Sequence, residues 1–355
     1  MKFLLIAGML GISIFPAMIR AQGQFETDSL RVIAVFSKGK ALLYNSYGLA
    51  EIERGDYRQA LEYFTEAAAM DPGFSDAIFN RGVVQLRMGS PVEALLDFAT
   101  AIQTDPRPEY LISRGLLLLE RGDTANGVSD FQRAARGGAL NPDAAFTLGV
   151  VRFHQAAFAE ASDLFNQVLQ ANPESVDVIN ALAMVSLATG DTSVALQRME
   201  ESLQFLPDQG EVLHLMAGIL FNRNSYAESQ EIWLKALTNN PQDYIAMNGM
   251  AAIAHRQQQY DTALFWANSA IEANPRFSAA WNTRGNCYYA QGDYTSAESD
   301  YSLALSIDPS LYLALYNRGV CREMLRDERG ACEDWKSAGE NGVPAAAAYY
   351  NQICK

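Results

Sequence analysis

Apolar and small residues recur at helical spacings along most of the chain, and the clearest stretch runs from residue 278 to residue 309. It predicts two helices, one ending near Gly292 and one starting near Asp293. Pro309 ends the second helix because proline lacks an N–H and clashes with the preceding turn. The residues that fall on helix faces are Trp281, Gly285, Tyr288, Ala297, Tyr301 and Ala304. The pattern therefore predicts a pair of helices as its unit.

This pair recurs with a period of 34 residues, shortened once to 33. A small residue marks the first helix of each pair, another marks the second helix, and a proline usually closes the pair. The first-helix markers are Gly48, Gly82, Gly115, Gly149, Ala183, Ala217, Ala251, Gly285 and Gly319. The second-helix markers are Ala60, Ala94, Gly127, Ala161, Ala195, Ser229, Ala263, Ala297 and Ala331. Nine copies thus cover residues 41–343.

The period and its markers resemble the tetratricopeptide repeat (TPR). The resemblance implies an all-α, right-handed superhelical solenoid of about nine helix-turn-helix repeats. One helix pair cannot bury its own apolar face, so neighbouring pairs stack into a continuous core. Residues 344–355 then read as a C-terminal capping helix with Pro344 in its first turn. The resemblance also implies that the chain works by binding other proteins.

Charge and motif content exclude several functions. The formal net charge is −14 and no basic residues cluster, so nucleic acid and anionic membrane surfaces are not expected partners. We find no nucleophile elbow, phosphate-binding loop or zinc-protease motif. The sequence therefore predicts a protein that is not an enzyme and uses no cofactor and no metal.

The N-terminus predicts export. Lys2 precedes an apolar run from Phe3 to Phe15, and Pro16 interrupts it. This favours a signal peptide over residues 1–21, cleaved before Gln22, rather than a membrane anchor. We expect an exported bacterial protein without membrane insertion after cleavage, in the periplasm or at the outer membrane, or alternatively secreted. Residues 22–40 form an N-terminal segment or cap, and whether they occupy the groove stays open.

Arginine and aspartate occur together in four repeats, sixteen residues apart, while the other five repeats lack the pair. The fourth repeat has Leu148 and Leu164 instead. This co-occurrence predicts structural ion pairs between the two helices of one repeat, which two apolar residues can replace. The pairs are Arg81 with Asp97, Arg114 with Asp130, Arg284 with Asp300, and Arg318 with Asp334.

Four cysteines lie in the last third of the chain, and export makes disulfides permissible. Cys354 ends the capping helix, which should pack on the helix that carries Cys332, so a bond between these two would hold the cap. Cys321 competes as a partner for Cys332, and Cys287 with Cys321 also fit buried thiols. The spacing matches no standard zinc pattern.

The TPR resemblance implies that first helices line a concave groove, with two positions per repeat pointing into it. These positions predict a partner-binding groove that is apolar early and rich in amides late, with one histidine. An asparagine amide can pair with an extended peptide backbone, and an apolar stripe suits hydrophobic segments unless it belongs to the core. The residues are Phe79, Val83, Ile112, Leu116, Phe146, Val150, Asn180, His214, Asn248 and Asn282.

The sequence is compatible with three functions. The first is an interaction scaffold or adaptor in the cell envelope that binds protein or peptide segments. The second is a periplasmic holdase or assembly factor for outer-membrane or secreted proteins, which would use the apolar half from Phe79 to Val150. The third is a purely structural subunit of a larger complex.

Overall fold

The computed structural model describes residues 37–137 and 140–354. The predicted signal peptide and most of the segment 22–40 lie outside these ranges. Within them every regular element is an α-helix. The first helix begins at Ser37, four residues before the predicted start of the repeats at 41.

The described residues up to Asp191 form one compact unit, and those from Thr192 form a second. The first unit contains the helices α1 (Ser37–Arg54), α2 (Tyr57–Met70), α3 (Ser75–Arg87), α4 (Pro91–Thr104), α5 (Pro108–Glu120), α6 (Thr124–Gly137), α7 (Pro142–His154), α8 (Phe158–Ala171) and α9 (Val176–Ala188).

The second unit contains ten helices among the described residues. They are α10 (Thr192–Phe205), α11 (Gly210–Asn222), α12 (Tyr226–Asn239), α13 (Tyr244–Arg256), α14 (Tyr260–Ala273), α15 (Ser278–Ala290), α16 (Tyr294–Ile307), α17 (Tyr312–Met324), α18 (Glu328–Glu340) and α19 (Pro344–Ile353).

Odd-numbered helices from α1 to α17 are the first helices of the repeats, and even-numbered helices are the second ones. Within each unit, consecutive helices pack on each other. First helices of neighbouring repeats also pack on each other, namely α1 with α3, α7 with α9, α11 with α13 and α13 with α15. Contacts between neighbouring second helices are sparser in the described ranges. The first helices therefore form an inner layer in each unit, and we call it the groove layer.

The packing inside a repeat depends on a glycine facing a large side chain. A Cβ added to Gly319 would come within 2.6 Å of the Trp335 ring, and one added to Gly149 within 2.6 Å of Phe165. Both large side chains are buried. The missing Cβ lets the two helices approach closely, which explains the small residue in the sequence pattern.

The turn inside each repeat contains one residue with positive φ. Glycine occupies this place in five repeats, for example Gly292 with φ of 80°. In the other four repeats the residue is Ala156, Asn224, Gln258 or Arg326, with φ between 58° and 69°. The turn geometry thus persists even where the sequence lacks the residue that adopts it most easily.

Candidate functional site

The four predicted arginine–aspartate pairs are present in the structure. Each is bidentate; in the first, Arg81 Nε and Nη2 both lie 2.7 Å from the carboxylate oxygens of Asp97. The four aspartates are buried, while the arginine side chains keep between 17% and 25% of their surface exposed. The hydrogen bond with the aspartate is the main reason why the pKa of each of these arginines is raised. These groups therefore hold helix pairs together and are not available to a ligand.

Two of these arginines also reach the preceding repeat, which the sequence reasoning missed. Arg284 donates from Nη1 to Asn268 Oδ1 over 2.7 Å. Arg318 donates in the same way to Ser302 Oγ over 3.1 Å. Both acceptors precede their arginine by sixteen residues, so the same spacing counted backward along the chain would have found them.

Arg322 adds a further link between the last two repeats. It bonds Asp334 within its own repeat and Glu298 in the preceding one, at 3.0 and 3.1 Å. The carboxylate of Asp334 is thus shared by two arginines. This network leaves the charges between α16 and α18 paired.

A disulfide joins Cys332 on α18 to Cys354 after the end of α19. Of the alternatives that the sequence left open, Cys321 and Cys287 are free and buried. Burial raises the pKa of the Cys287 thiol to about 11 and that of the Cys321 thiol to about 12. Both thiols are protonated near neutral pH, so neither is a nucleophile or a ready metal ligand.

The apolar residues predicted for the groove belong largely to the core of the first unit. Ile112 and Phe146 are each 9% exposed. Phe79 is half-buried and stacks on Tyr110 with ring centroids 4.4 Å apart. The other three, Val83, Leu116 and Val150, are partly buried and pack against core clusters. Most of these apolar side chains therefore pack between helices. The repeat period alone does not distinguish such core positions from positions on an open surface.

The polar groove residues behave differently from one another. Asn180 lies on α9 in the first unit, whereas His214, Asn248 and Asn282 lie on successive first helices of the second unit. In Asn248 and Asn282 the side-chain carbonyl oxygen is buried and has no hydrogen-bond partner among the described residues. These two residues are 34 positions apart and occupy equivalent places in neighbouring repeats. The second unit therefore has two side-chain amides, at the same place in the repeat, whose oxygens lack a hydrogen bond.

His214 is engaged in the structure rather than free. Its Nε2 lies 2.6 Å from Asp243 Oδ2. Asp243 is buried and its other oxygen accepts hydrogen bonds from the backbone N–H groups of Ile245 and Ala246, which caps α13. His214 thus fixes the start of the next repeat's first helix. Histidine stands at this place in the sixth repeat only. Comparison of the repeats with one another therefore could not predict the contact.

The space above Gly218 is open in the same layer. A Cβ at this position would meet no atom within 4 Å, apart from the local helix backbone. The corresponding places in the first unit carry valine, leucine or methionine. A main chain can therefore approach the second unit's groove layer more closely beside α11.

Metal-ligand groups and membrane-spanning helices were sought among the described residues. No group of three or more histidine, cysteine, aspartate or glutamate side chains is arranged to hold a metal ion in these ranges. In the same ranges, no helix has the length and hydrophobicity to cross a bilayer.

Comparison with known proteins gives matches to repeat proteins. Models of the tetratricopeptide repeat match residues 48–108, 112–176 and 215–276, and residues 278–311. Human tetratricopeptide repeat protein 6 is 33% identical over 137 residues, which is 38% of this chain and 26% of that protein. The TPR repeat-containing protein MJ1428 of Methanocaldococcus jannaschii is 23% identical over 234 residues, which is 62% of this chain and 41% of that protein. The chain spans well under half the length of these two relatives.

The fold also resembles that of solved repeat proteins. The crystal structure of a tetratricopeptide repeat protein from Parabacteroides merdae aligns with a TM-score of 0.50 at 17% identity. The alignment covers 79% of this chain and 99% of that one. At this identity the likeness concerns the fold alone.

Proposed function

Because the chain belongs to the tetratricopeptide repeat family, we propose that it is a non-enzymatic interaction scaffold that binds an extended segment of a partner protein. The binding surface is the groove layer of the second unit. The fold supplies this surface in an ordered form, so binding costs little further conformational entropy on the protein's side.

The observation that carries the proposal is the pair of unsaturated amides at Asn248 and Asn282. A buried polar group without a partner costs about 1–3 kcal/mol. Each asparagine is only partly buried although its amide oxygen is covered, so the side chain can turn its amide toward a ligand that supplies the missing hydrogen bond. An asparagine side chain has two N–H donors and one carbonyl acceptor, which match the C=O and N–H groups of a peptide main chain. Two such residues in one register suit an extended chain.

The holdase function has no comparable support. Its intended surface was the apolar stripe, and Ile112 and Phe146 lie buried in the core of the first unit. We therefore propose that the partner segment binds at Asn248 and Asn282.

We extend the proposal to location, with the chain exported to the cell envelope. The disulfide between Cys332 and Cys354 supports this, since disulfides persist in oxidising compartments. The predicted signal peptide at residues 1–21 is consistent with it.

The test is affinity capture with a C-terminal tag from the native cells, followed by mass spectrometry. We expect a partner in fixed stoichiometry, captured at least tenfold less by the Asn248→Ala/Asn282→Ala protein. Asn126→Ala, on the second-helix side of the first unit, is the matched control and should capture normally. Equal capture by all three proteins would remove the amides from the proposal. The same spectra should show a mature chain that starts at Gln22, and an intact N-terminus would contradict export.

A further inference from the structure

Three tyrosines from three helices lie together at the C-terminal end of the second unit. Tyr289 is near the end of α15, Tyr316 is on α17, and Tyr349 is on the terminal helix α19. The rings of Tyr316 and Tyr349 have centroids 5.8 Å apart and meet edge to face. Tyr349 also packs 5.1 Å from the fully buried Trp335, so the core fixes its position.

Two of the three rings are open to solvent, and Tyr316 is partly buried. Tyr289 is 42% exposed and Tyr349 is 36% exposed. Burial is the main reason why the pKa values of Tyr289 and Tyr316 are raised. The Tyr349 hydroxyl also raises the pKa of both, after Tyr294 and Cys321 in the case of Tyr289. We call these three residues the tyrosine surface.

A carboxylate without an ion pair among the described residues lies on the same helix as Tyr316, about two turns farther along. Glu323 follows Tyr316 by seven residues on α17, which places both on one helix face. It also occupies the place in its repeat that Tyr289 occupies in the preceding repeat. Its neighbour Arg322 is bound to Glu298 and Asp334 instead. Glu323 thus forms no ion pair with any residue in the described ranges.

The cations of these helices are already paired. The three helices that carry the tyrosines contain three arginines, and Arg284, Arg318 and Arg322 all bind carboxylates. A ligand here meets electron-rich ring faces and one carboxylate, a combination that attracts cations. The same unit already has such a contact, with the Arg284 guanidinium 4.7 Å from the Trp281 ring centroid.

We infer that the tyrosine surface together with Glu323 binds a cationic side chain, arginine or lysine, of the partner segment. This inference rests on the proposed function and adds the chemistry of one partner residue to it. The guanidinium or ammonium group stacks on a tyrosine face and donates hydrogen bonds to the Glu323 carboxylate.

The terminal helix thereby has a second role besides covering the core. Tyr349 lies outside the repeats, and its helix is held by the disulfide at Cys354. A part of the binding surface therefore depends on the cap and has no equivalent elsewhere in the nine repeats.

The experiment titrates the mature full-length protein with three short fluorescein-labelled glycine–serine peptides. They carry two central arginines, two citrullines or two glutamates. Citrulline keeps the shape of arginine and removes its charge. We expect the arginine peptide to bind at least fivefold more tightly than the citrulline peptide, with the glutamate peptide weakest.

Variants locate the effect. Tyr289→Leu, Tyr349→Leu and Glu323→Gln should each reduce the preference for arginine to less than twofold, while Tyr349→Phe, which keeps the ring, should retain it. Tyr47→Leu is a matched control because Tyr47 is 45% exposed in the first unit. Glu328→Gln is the control for an exposed carboxylate on α18. Circular dichroism verifies that each variant is folded.

Two outcomes overturn the inference. One is equal affinity of the wild-type protein for the arginine and citrulline peptides. The other is a preference for arginine that survives in Tyr289→Leu and Glu323→Gln, since this would reflect only the general attraction to a chain of net charge −14. The proposed function is judged separately by loss of partner capture in the Asn248→Ala/Asn282→Ala protein.

Discussion

Arg81 and Asp97 are a simple example of the arginine–aspartate pairs, because neither has another ion-pair partner among the described residues. The pair lies between the two helices of one repeat and its aspartate is buried. Removing one partner leaves the other charge partly buried and unpaired, whereas removing both leaves neither. The fourth repeat already uses the second solution, with leucines at both places.

We predict that Asp97→Leu lowers the free energy of unfolding by about 2 kcal/mol, because the guanidinium loses two charge-assisted hydrogen bonds. The double variant Arg81→Leu/Asp97→Leu should regain most of that loss. Urea denaturation of the wild type, both single variants and the double variant gives the coupling between the two residues. If the loss of free energy of unfolding in the double variant equals the sum of the losses in the two single variants, the two side chains do not stabilise each other.

At the residue scale, the sequence predicted contacts that recur and missed contacts that occur once. The arginine–aspartate pairs were predictable because four repeats carry both residues and five carry neither. His214 bonds Asp243 across a repeat boundary in a single place, so the sequence offered nothing to compare it with. For Asn248 and Asn282 the sequence predicted amide side chains in the groove. It could not predict that their oxygens are buried without a hydrogen-bond partner.

At the element scale, the turn between the two helices of a repeat is the most uniform feature. A residue with positive φ stands there in all nine repeats, whether or not it is glycine. Residues with a Cβ pay about 1–2 kcal/mol for this conformation. The packed helices on either side therefore impose the turn in the repeats that carry Ala156, Asn224, Gln258 or Arg326.

Replacing Gln258, whose φ is 60°, by glycine should raise the free energy of unfolding by about 1 kcal/mol, since the strain disappears. Gly292→Ala is the converse change at the equivalent turn and should lower stability by a similar amount. A Cβ at Gly292 would meet no atom within 4 Å, so its effect comes from the backbone alone. Thermal denaturation measures both, and changes of the same sign in the two variants would disprove this explanation.

The terminal helix α19 buries few of its side chains and is also held by a disulfide. It has ten residues, of which Ala346 alone is fully buried. The bond to Cys332 spans 22 residues of chain. Cross-linking a loop of this size contributes about 3 kcal/mol, mainly by restricting the unfolded chain.

Cys354→Ser should therefore lower the free energy of unfolding by about 3 kcal/mol and release α19 locally. Hydrogen exchange should show lost protection of residues 344–353, with α15 and α16 protected as before. Cys321→Ala, which alters a free buried thiol nearby, should keep α19 protected. Unchanged protection of α19 in Cys354→Ser would show that packing alone holds the cap.

At the scale of the whole molecule, the period of 34 was sufficient to predict the helices and their pairing. It did not predict where the first helix begins, because α1 starts at Ser37 and its first turn has no counterpart in later repeats. The period also did not separate groove from core, because Ile112 and Phe146 recur at the same places as Asn248 and Asn282. The period could not predict the tyrosine surface, because Tyr349 belongs to no repeat.

The links that Arg284, Arg318 and Arg322 make to the preceding repeat have a consequence for rebuilding the array. Repeats seven to nine are joined by side chains that match only at their present neighbours, through Asn268, Ser302 and Glu298. A copy of the fourth repeat placed between the eighth and ninth would bring Leu148 to the place of Arg318 and leave Ser302 without its donor. Modules of this protein are therefore interchangeable only where the polar groups on both sides of the junction are exchanged with them.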